Sequence, residues 1–355
     1  MTTLVMALSA LLAFSVALAL WPARANPLVA TISFYAGVAT SELPLQVLAL
    51  TVFLLASTVT LGEISVVAVI LLGCSLLGGV ALLGRALAAR NVLESAVRAV
   101  GGTPARRPRP WASLAFRPWP RLPRGVERHG AISYGPYGKA NRLDLYRRRR
   151  RPPGPAPVLV HVHGGSFRRG RRSQDARMLL YRLARRGWVT VSPDYRLLPA
   201  GEFPANADDI VEVVTWLRMH AEELDIDPER IVLVGSSAGA HLAVLSTLRG
   251  AQVRALVGLY GYYGAQRTRS DVPSDPTRYP ADQAPLTLLV HGDADSFVDI
   301  SGARRYAGHR RMLSGDTVAL AELPGAQHGF DRFASLRFSA VCDAIEDFAH
   351  AAFSR

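Results

Sequence analysis

The chain has 355 residues, a net charge of +13 and only 2 cysteines. That length suits one large α/β domain with an appendage, and two cysteines exclude a disulfide framework or a thiolate metal cluster. Nearly all the positive charge is arginine, Lys139 being the single lysine. The sequence offers no nucleic-acid-binding signature, such as basic residues interleaved with aromatics on one module, so no nucleic-acid partner is expected.

Residues 3–21 carry no charge and are long enough to cross a bilayer as a helix. Two further candidates are 43–61 and 64–84, separated at Gly62 and Glu63 by what reads as a tight helical hairpin. The stretch 27–41 is too short to span before Glu42 and Pro44, and reads as an interfacial segment. "ARA" at 23–25 resembles a small-x-small cleavage site, but the start lacks the basic region of a secretory signal, so a retained anchor is expected. Arg85, Arg90, Arg98, Arg106, Arg107 and Arg109 all follow the third span, which favours a cytoplasmic C-terminal region and a multi-pass protein of the cell membrane.

This gives a transmembrane region over 1–90, a basic Pro/Arg/Trp-rich juxtamembrane linker over 91–128, and a third domain over 129–355. Proline recurs too often in 101–125 for a regular helix, while its arginines and Trp111 and Trp119 suit membrane lipids as partners. The Arg147–Arg151 run reads as a solvated hairpin loop.

From about residue 130, short apolar strands alternate with amphipathic helices. Strands are predicted at 157–165, 188–196, 230–235, 253–261, 285–293 and 317–322, with helices at 206–223, after Ser237, at 301–314 and at 335–352. Alternation of this kind implies a mostly parallel sheet flanked by helices, whose chemistry belongs at the carboxyl ends of its strands.

The motif "GSSAG" at 235–239 sits between a strand and a helix, as a nucleophile elbow requires, making Ser237 the candidate nucleophile. A serine hydroxyl needs a base, and the base needs a carboxylate to fix its tautomer. His328, on a late loop, fits the base; Asp295 in "HGDAD" fits the acid, with Asp299 the alternative and Asp293 a cap or solvated residue. His241 and His291 read as structural. "HVHGGSF" at 161–167 offers backbone amides to an oxyanion, the expected donors being Gly164, Gly165 and Ala238. Arg168, Arg169, Arg171 and Arg172 read as a solvated or membrane-facing rim, and 261–284 as a lid or a plain surface loop.

"HGG" at 163–165, "DYRL" at 194–197, "FPA" at 203–205, "GSSAG", "HGDAD" and "HGF" at 328–330 stand in order. Over roughly 130–352 the sequence resembles the hormone-sensitive-lipase-like branch of the α/β-hydrolases, and its apolar N-terminus resembles that of actinobacterial membrane-anchored esterases. The resemblance implies an α/β-hydrolase fold and cleavage of carboxylic esters through an acyl-serine, with no cofactor and a small-molecule or lipid ester as substrate. An amidase, an acyltransferase or a non-catalytic membrane scaffold is the alternative. Three positions depart from the pattern: Ser166 where many members carry a third glycine, Ser236 where many carry an acid, and Ala240 for a common glycine.

Overall fold

A computed structural model describes residues 2–60, 65–280, 284–315 and 317–355. The expected hairpin turn at Gly62 and Glu63 lies outside the described residues. Four helices come first: α1 (Thr2–Leu20), α2 (Pro27–Glu42), α3 (Pro44–Thr60) and α4 (Val66–Ala99). By length and composition, α1 and α4 could each cross a membrane; α2 and α3 pass the same test only as a pair bent by 89°. The cause of the bend is local. Pro44 has no amide to donate and disfavours helical geometry at Leu43, which sits at φ −115°, ψ 48°.

Helices α1, α3 and α4 pack on one another, and their outer faces carry Leu4, Leu11, Phe14, Phe53, Ile70 and Leu77 exposed. Two adjacent glycines set the spacing inside. A Cβ on Gly78 would stand 2.3 Å from Val16 Cγ1 of α1, and one on Gly79 would stand 2.9 Å from Leu48 Cδ2 of α3. Small residues that let helix axes approach are the usual device where no water drives apolar faces together.

Two of the expected apolar segments take definite bounds here. The span placed at 43–61 is a helix of 17 residues, about 25 Å at 1.5 Å per residue. The helix placed at 64–84 runs on without a break to Ala99, through residues the sequence reading assigned to the linker. Ala89, Leu93 and Val97 recur on one face of α4 and are buried, so this end of the rod belongs to the core of the α/β domain, packed on its last strand and last helix.

The rest comprises α5 (Trp111–Phe116), β1 (Val126–Ser133), β2 (Arg142–Arg148), β3 (Ala156–Val162), α6 (Arg177–Arg185), β4 (Val189–Pro193), α7 (Ala205–Met219), α8 (Ala221–Leu224), β5 (Ile226–Ser236), α9 (Ala238–Leu248), β6 (Ala255–Leu259), β7 (Leu286–Gly292), α10 (Ser301–Ser314), β8 (Val318–Leu323) and α11 (Leu336–Phe353). The strands form one sheet in the order β1-β2-β4-β3-β5-β6-β7-β8. The β1–β2 and β2–β4 pairs are antiparallel and every other pair is parallel. Helices α6 and α11, with the end of α4, cover one face; α7, α9 and α10 cover the other. Both faces are therefore dry, which explains the nearly unbroken apolar runs of the central strands. Arg147 is a buried residue of β2, so the arginine run begins inside a strand rather than in a loop.

A buried ion pair joins the N-terminal helices to this domain. Glu42, at the end of α2, pairs with Arg337 of α11, and both side chains are fully buried. Ser335 Oγ donates to Glu42 at 2.8 Å, and Arg337 also donates to the carbonyls of Ser41 and Pro324. Removing one partner of a buried pair strands the other charge, at a cost of about 3–5 kcal/mol, whereas replacing both by apolar groups is often close to neutral. Glu42→Ala is thus expected to lower the unfolding midpoint of the detergent-purified protein far more than the Glu42→Leu/Arg337→Met double substitution.

Candidate active site

The turn between β5 and α9 carries Ser237 at φ +55°, ψ −119°, a conformation that side chains other than glycine adopt only under constraint. The flanking glycines supply it. A Cβ on Gly235 would lie 2.2 Å from Gly239 O, and a Cβ on Gly239 would lie 2.2 Å from Val162 O and 2.5 Å from His163 O. The turn can therefore close tightly, and β3 with its following loop can press against it. Ser237 Oγ is left at the carboxyl end of the sheet, on the wall of a cavity of about 480 Å³.

Ser237, Asp295 and His328 meet there. His328 Nε2 is 3.0 Å from Ser237 Oγ, and its Nδ1 is 2.8 Å from Asp295 Oδ2. The second oxygen of Asp295 accepts the backbone amides of Phe297 and Val298, each at 2.8 Å. Burial raises the Asp295 pKa, but the charge of His328 and hydrogen bonds from His291 and His328 outweigh it and hold the carboxyl well below the usual range. His291 Nε2 lies 3.3 Å from Asp295 Oδ2 and 3.0 Å from the Val298 carbonyl, so this histidine braces the acid. The neighbouring acids do other work. Asp299 is largely exposed and accepts Ser301 N ahead of α10, and Asp293 accepts Gly325 N. His241 is buried in α9, its Nδ1 facing the Tyr262 carbonyl.

The loop after β3 has three consecutive residues at positive φ: Gly165 at 129°, Ser166 at 54° and Phe167 at 61°. Gly165 admits no side chain, since a Cβ would fall 1.8 Å from Arg169 O. Of the three amides expected to face an oxyanion, that of Gly164 donates to Asp175 Oδ2 at 3.1 Å. The motif "DYRL" holds the loop from beneath. Tyr195 OH donates to the His163 carbonyl at 3.0 Å, and Asp194 accepts the Arg172 amide at 2.6 Å. Arg172 is correspondingly no rim residue; it bonds inward to Asp144 and Asp194. Arg169 does line the cavity.

Three features were not legible in the sequence. Phe34 and Tyr35 of α2 line the cavity, and the Phe34 ring meets the His328 imidazole edge-on at 6.0 Å. The N-terminal region therefore supplies a wall of the site, while no described residue of 261–284 lines it; 281–283 lie outside the described residues. The second feature is Asp175, buried beside Ser237, for which the sequence carried no signal. The third is Asp331. Ser236 Oγ donates to Asp331 Oδ2 at 2.7 Å and lies 2.9 Å from His161 Nε2, and Tyr260 OH donates to Asp331 Oδ1 at 2.5 Å. Serine at the position before Ser237 is thus matched by a carboxylate brought from the loop after His328. Only its place three residues past the histidine hinted at it.

The sheet order and the solved structures it resembles define the chain as an α/β-hydrolase by fold. A bacterial heroin esterase superposes with a TM-score of 0.55 at 22% identity, covering 64% of this chain and 85% of that one. An esterase 2 of Thermogutta terrifontis, phosphoramylated by tabun, gives 0.55 at 24%, covering 64% and 95%. In sequence, the BD-FAE family model matches residues 143–271. Two Mycobacterium tuberculosis proteins are similar over a longer stretch. The probable carboxylic ester hydrolase LipM is 31% identical over 293 residues, covering 71% of this chain and 66% of its own. The esterase LipQ is 30% identical over 278 residues, covering 66% of each. The chain thus spans just under two-thirds of the length of these relatives.

Burial, with the nearby charge of Asp175, pushes the Asp331 carboxyl up to about 7, against the hydrogen bonds from Tyr260 and Ser236. A raised folded-state pKa contributes stability that is fully present below the unfolded value near 3.8 and is lost as pH rises towards 7. The melting temperature of the wild type minus that of Asp331→Asn is therefore expected to decline from pH 4 to pH 7 and to level off above. The opposing contribution of His241, pushed down to about 4 by burial and bonded to the Tyr262 carbonyl outside the Asp331 network, cancels in this difference.

Proposed function

We propose that this chain is a membrane-anchored serine hydrolase of carboxylic esters, with Ser237, His328 and Asp295 as its triad. The observation that carries the reading is the continuous hydrogen-bonded line from Asp295 through His328 to Ser237 Oγ, set at a strained turn on a cavity wall. His328 Nε2 takes the Ser237 proton as Oγ attacks the ester carbonyl. Asp295 keeps the proton on Nδ1 and faces the imidazolium that forms. The carbonyl oxygen, now negative, is met by the amides of Gly165, Ser166 and Ala238. Ser166 thereby takes the place expected of Gly164, whose amide serves Asp175. The alkoxide leaves with the proton from His328, and a water activated by the same imidazole then releases the acid from the acyl-serine.

The relatives' names support ester substrates, and the apolar outer faces of α1, α3 and α4 support anchoring in a bilayer. Helices α1, α3 and α4 are the spans, and α2 lies at the interface against the hydrolase domain. The arginines from Arg85 onward put the catalytic domain in the cytoplasm. A reporter fused at the C-terminus is expected to give signal only if it is of a kind active in the cytoplasm.

For the chemistry, p-nitrophenyl ester hydrolysis by detergent-purified protein is expected to fall by about a million-fold in Ser237→Ala. A fluorophosphonate probe should label the wild type and not the variant. Equal turnover by the two proteins would remove Ser237 from the mechanism.

A further inference from the structure

The segment between α4 and β1 does not trail loosely from the membrane helices. It folds back on α6 to form a groove of about 1010 Å³ that shares no lining residue with the cavity at Ser237. Seven arginines line this groove and no acidic residue does. Three of them are held from behind by carboxylates of α11: Arg107 by Asp347 at 2.7 Å, Arg182 by Asp343 and Arg186 by Glu346. The other four, Arg117, Arg121, Arg124 and Arg185, make no ion pair among the described residues. A protein seldom gathers so many guanidinium groups around one hollow unless an anion joins them, because each repels the next.

The groove's position says which anion. Leu114 of α5 is buried against Leu45 at the start of α3 and against Leu83, Ala86 and Leu87 of α4. Gln46 Nε2 donates to the carbonyls of Leu114 and Ala115, both at 2.8 Å. Arg85, the first charge after the apolar run of α4, donates to the carbonyl of Leu20, the last residue of α1. Leu20, Leu45 and Arg85 thus mark one end of the apolar bundle, and the groove opens beside it. Its surroundings are apolar as well as cationic, with Phe116 84% and Trp119 66% exposed. Aromatic rings beside guanidinium forks suit the headgroup level of a bilayer, where rings sit among acyl carbons and forks grip phosphate in pairs of hydrogen bonds.

We propose that this groove binds the phosphate headgroup of an anionic membrane lipid, Arg117, Arg121, Arg124 and Arg185 being its principal donors. The site rests on the membrane placement of the helical bundle and not on the hydrolase chemistry. Each arginine near an anionic surface contributes roughly fivefold in affinity, so four together contribute more than about a hundredfold.

The test uses the full-length protein in non-ionic detergent, titrated with dioctanoyl phosphatidylglycerol, dioctanoyl phosphatidylcholine and inorganic phosphate. Saturable binding of phosphatidylglycerol is expected, with phosphatidylcholine and free phosphate at least about a hundredfold weaker. The Arg117→Gln/Arg121→Gln/Arg124→Gln/Arg185→Gln variant should lose that binding by a similar factor and keep wild-type p-nitrophenyl ester turnover. A variant with Arg267, Arg269, Arg278 and Arg305 changed to Gln loses the same net charge elsewhere and should bind as the wild type does. Should the groove variant fail to fold, the corresponding four-lysine variant keeps the charge without the forks and should bind several-fold more weakly. Equal affinity in the groove variant, equal binding of the two lipids, or free phosphate binding as tightly as phosphatidylglycerol would each overturn the proposal. Loss of ester turnover in the wild type would count against the hydrolase reading and leave this one standing.

Discussion

The structure of the site depends on one constraint, the turn that holds Ser237 at φ +55°. Such a backbone is costly for serine, and here it is enforced from both sides. Gly235 and Gly239 have no room for a side chain because their Cα atoms face the turn's own backbone and the carbonyls that end β3. The hydroxyl is raised onto the wall of the cavity, and Ala238 takes the first position of α9. A residue that relaxed into ordinary helical geometry would carry the hydroxyl away from His328. The small residues of the motif are thus a packing requirement whose consequence is chemical.

Behind the turn lies a second, buried layer. Ser236, His161, Tyr260 and Asp331 are linked by hydrogen bonds beneath Ser237, and the Tyr260 ring meets the His328 imidazole at 4.6 Å. The loop bearing His328 is therefore tied to the strand bearing Ser237 by two routes, one through the Ser237–His328 hydrogen bond and one through Asp331. Polar groups buried together restrict each other's geometry, because any rearrangement leaves one of them unpaired. This gives a physical reason for an acid so near His328 and for serine, rather than a carboxylate, ahead of Ser237.

The N-terminal helices are joined to the α/β domain as parts of one body. Helix α4 ends inside its core, the Glu42–Arg337 pair fixes the end of α2, and Ser296 Oγ donates to the Ala30 carbonyl at 3.2 Å. Arg24 reaches the Asp293 carbonyl at 2.8 Å. Through these contacts α2 brings Phe34 and Tyr35 to the cavity. An apolar N-terminus that by composition reads only as an anchor is also a wall of the site.

Sequence alone was enough for the α/β alternation, because strands buried on both faces are apolar throughout and their helices are amphipathic. It was also enough to single out Ser237, Asp295 and His328 as candidates, since each occupies a short motif with its own local turn chemistry and the motifs stand in order. It identified three apolar segments, whose character needs no partner to be recognised. Tertiary structure alone decided what depends on distant residues meeting. That Asp295 rather than Asp299 faces His328 turns on which carboxylate the loop after β7 directs inward. That the Gly164 amide serves Asp175 turns on a side chain eleven positions away, and the groove of arginines exists only because the proline-rich segment lies against α6. The right angle at Leu43 is written locally by Pro44, but the burial of Glu42 against Arg337 is not. A pairing across 295 residues leaves no periodicity or motif in the sequence, because nothing near either residue along the chain has to change for it to form.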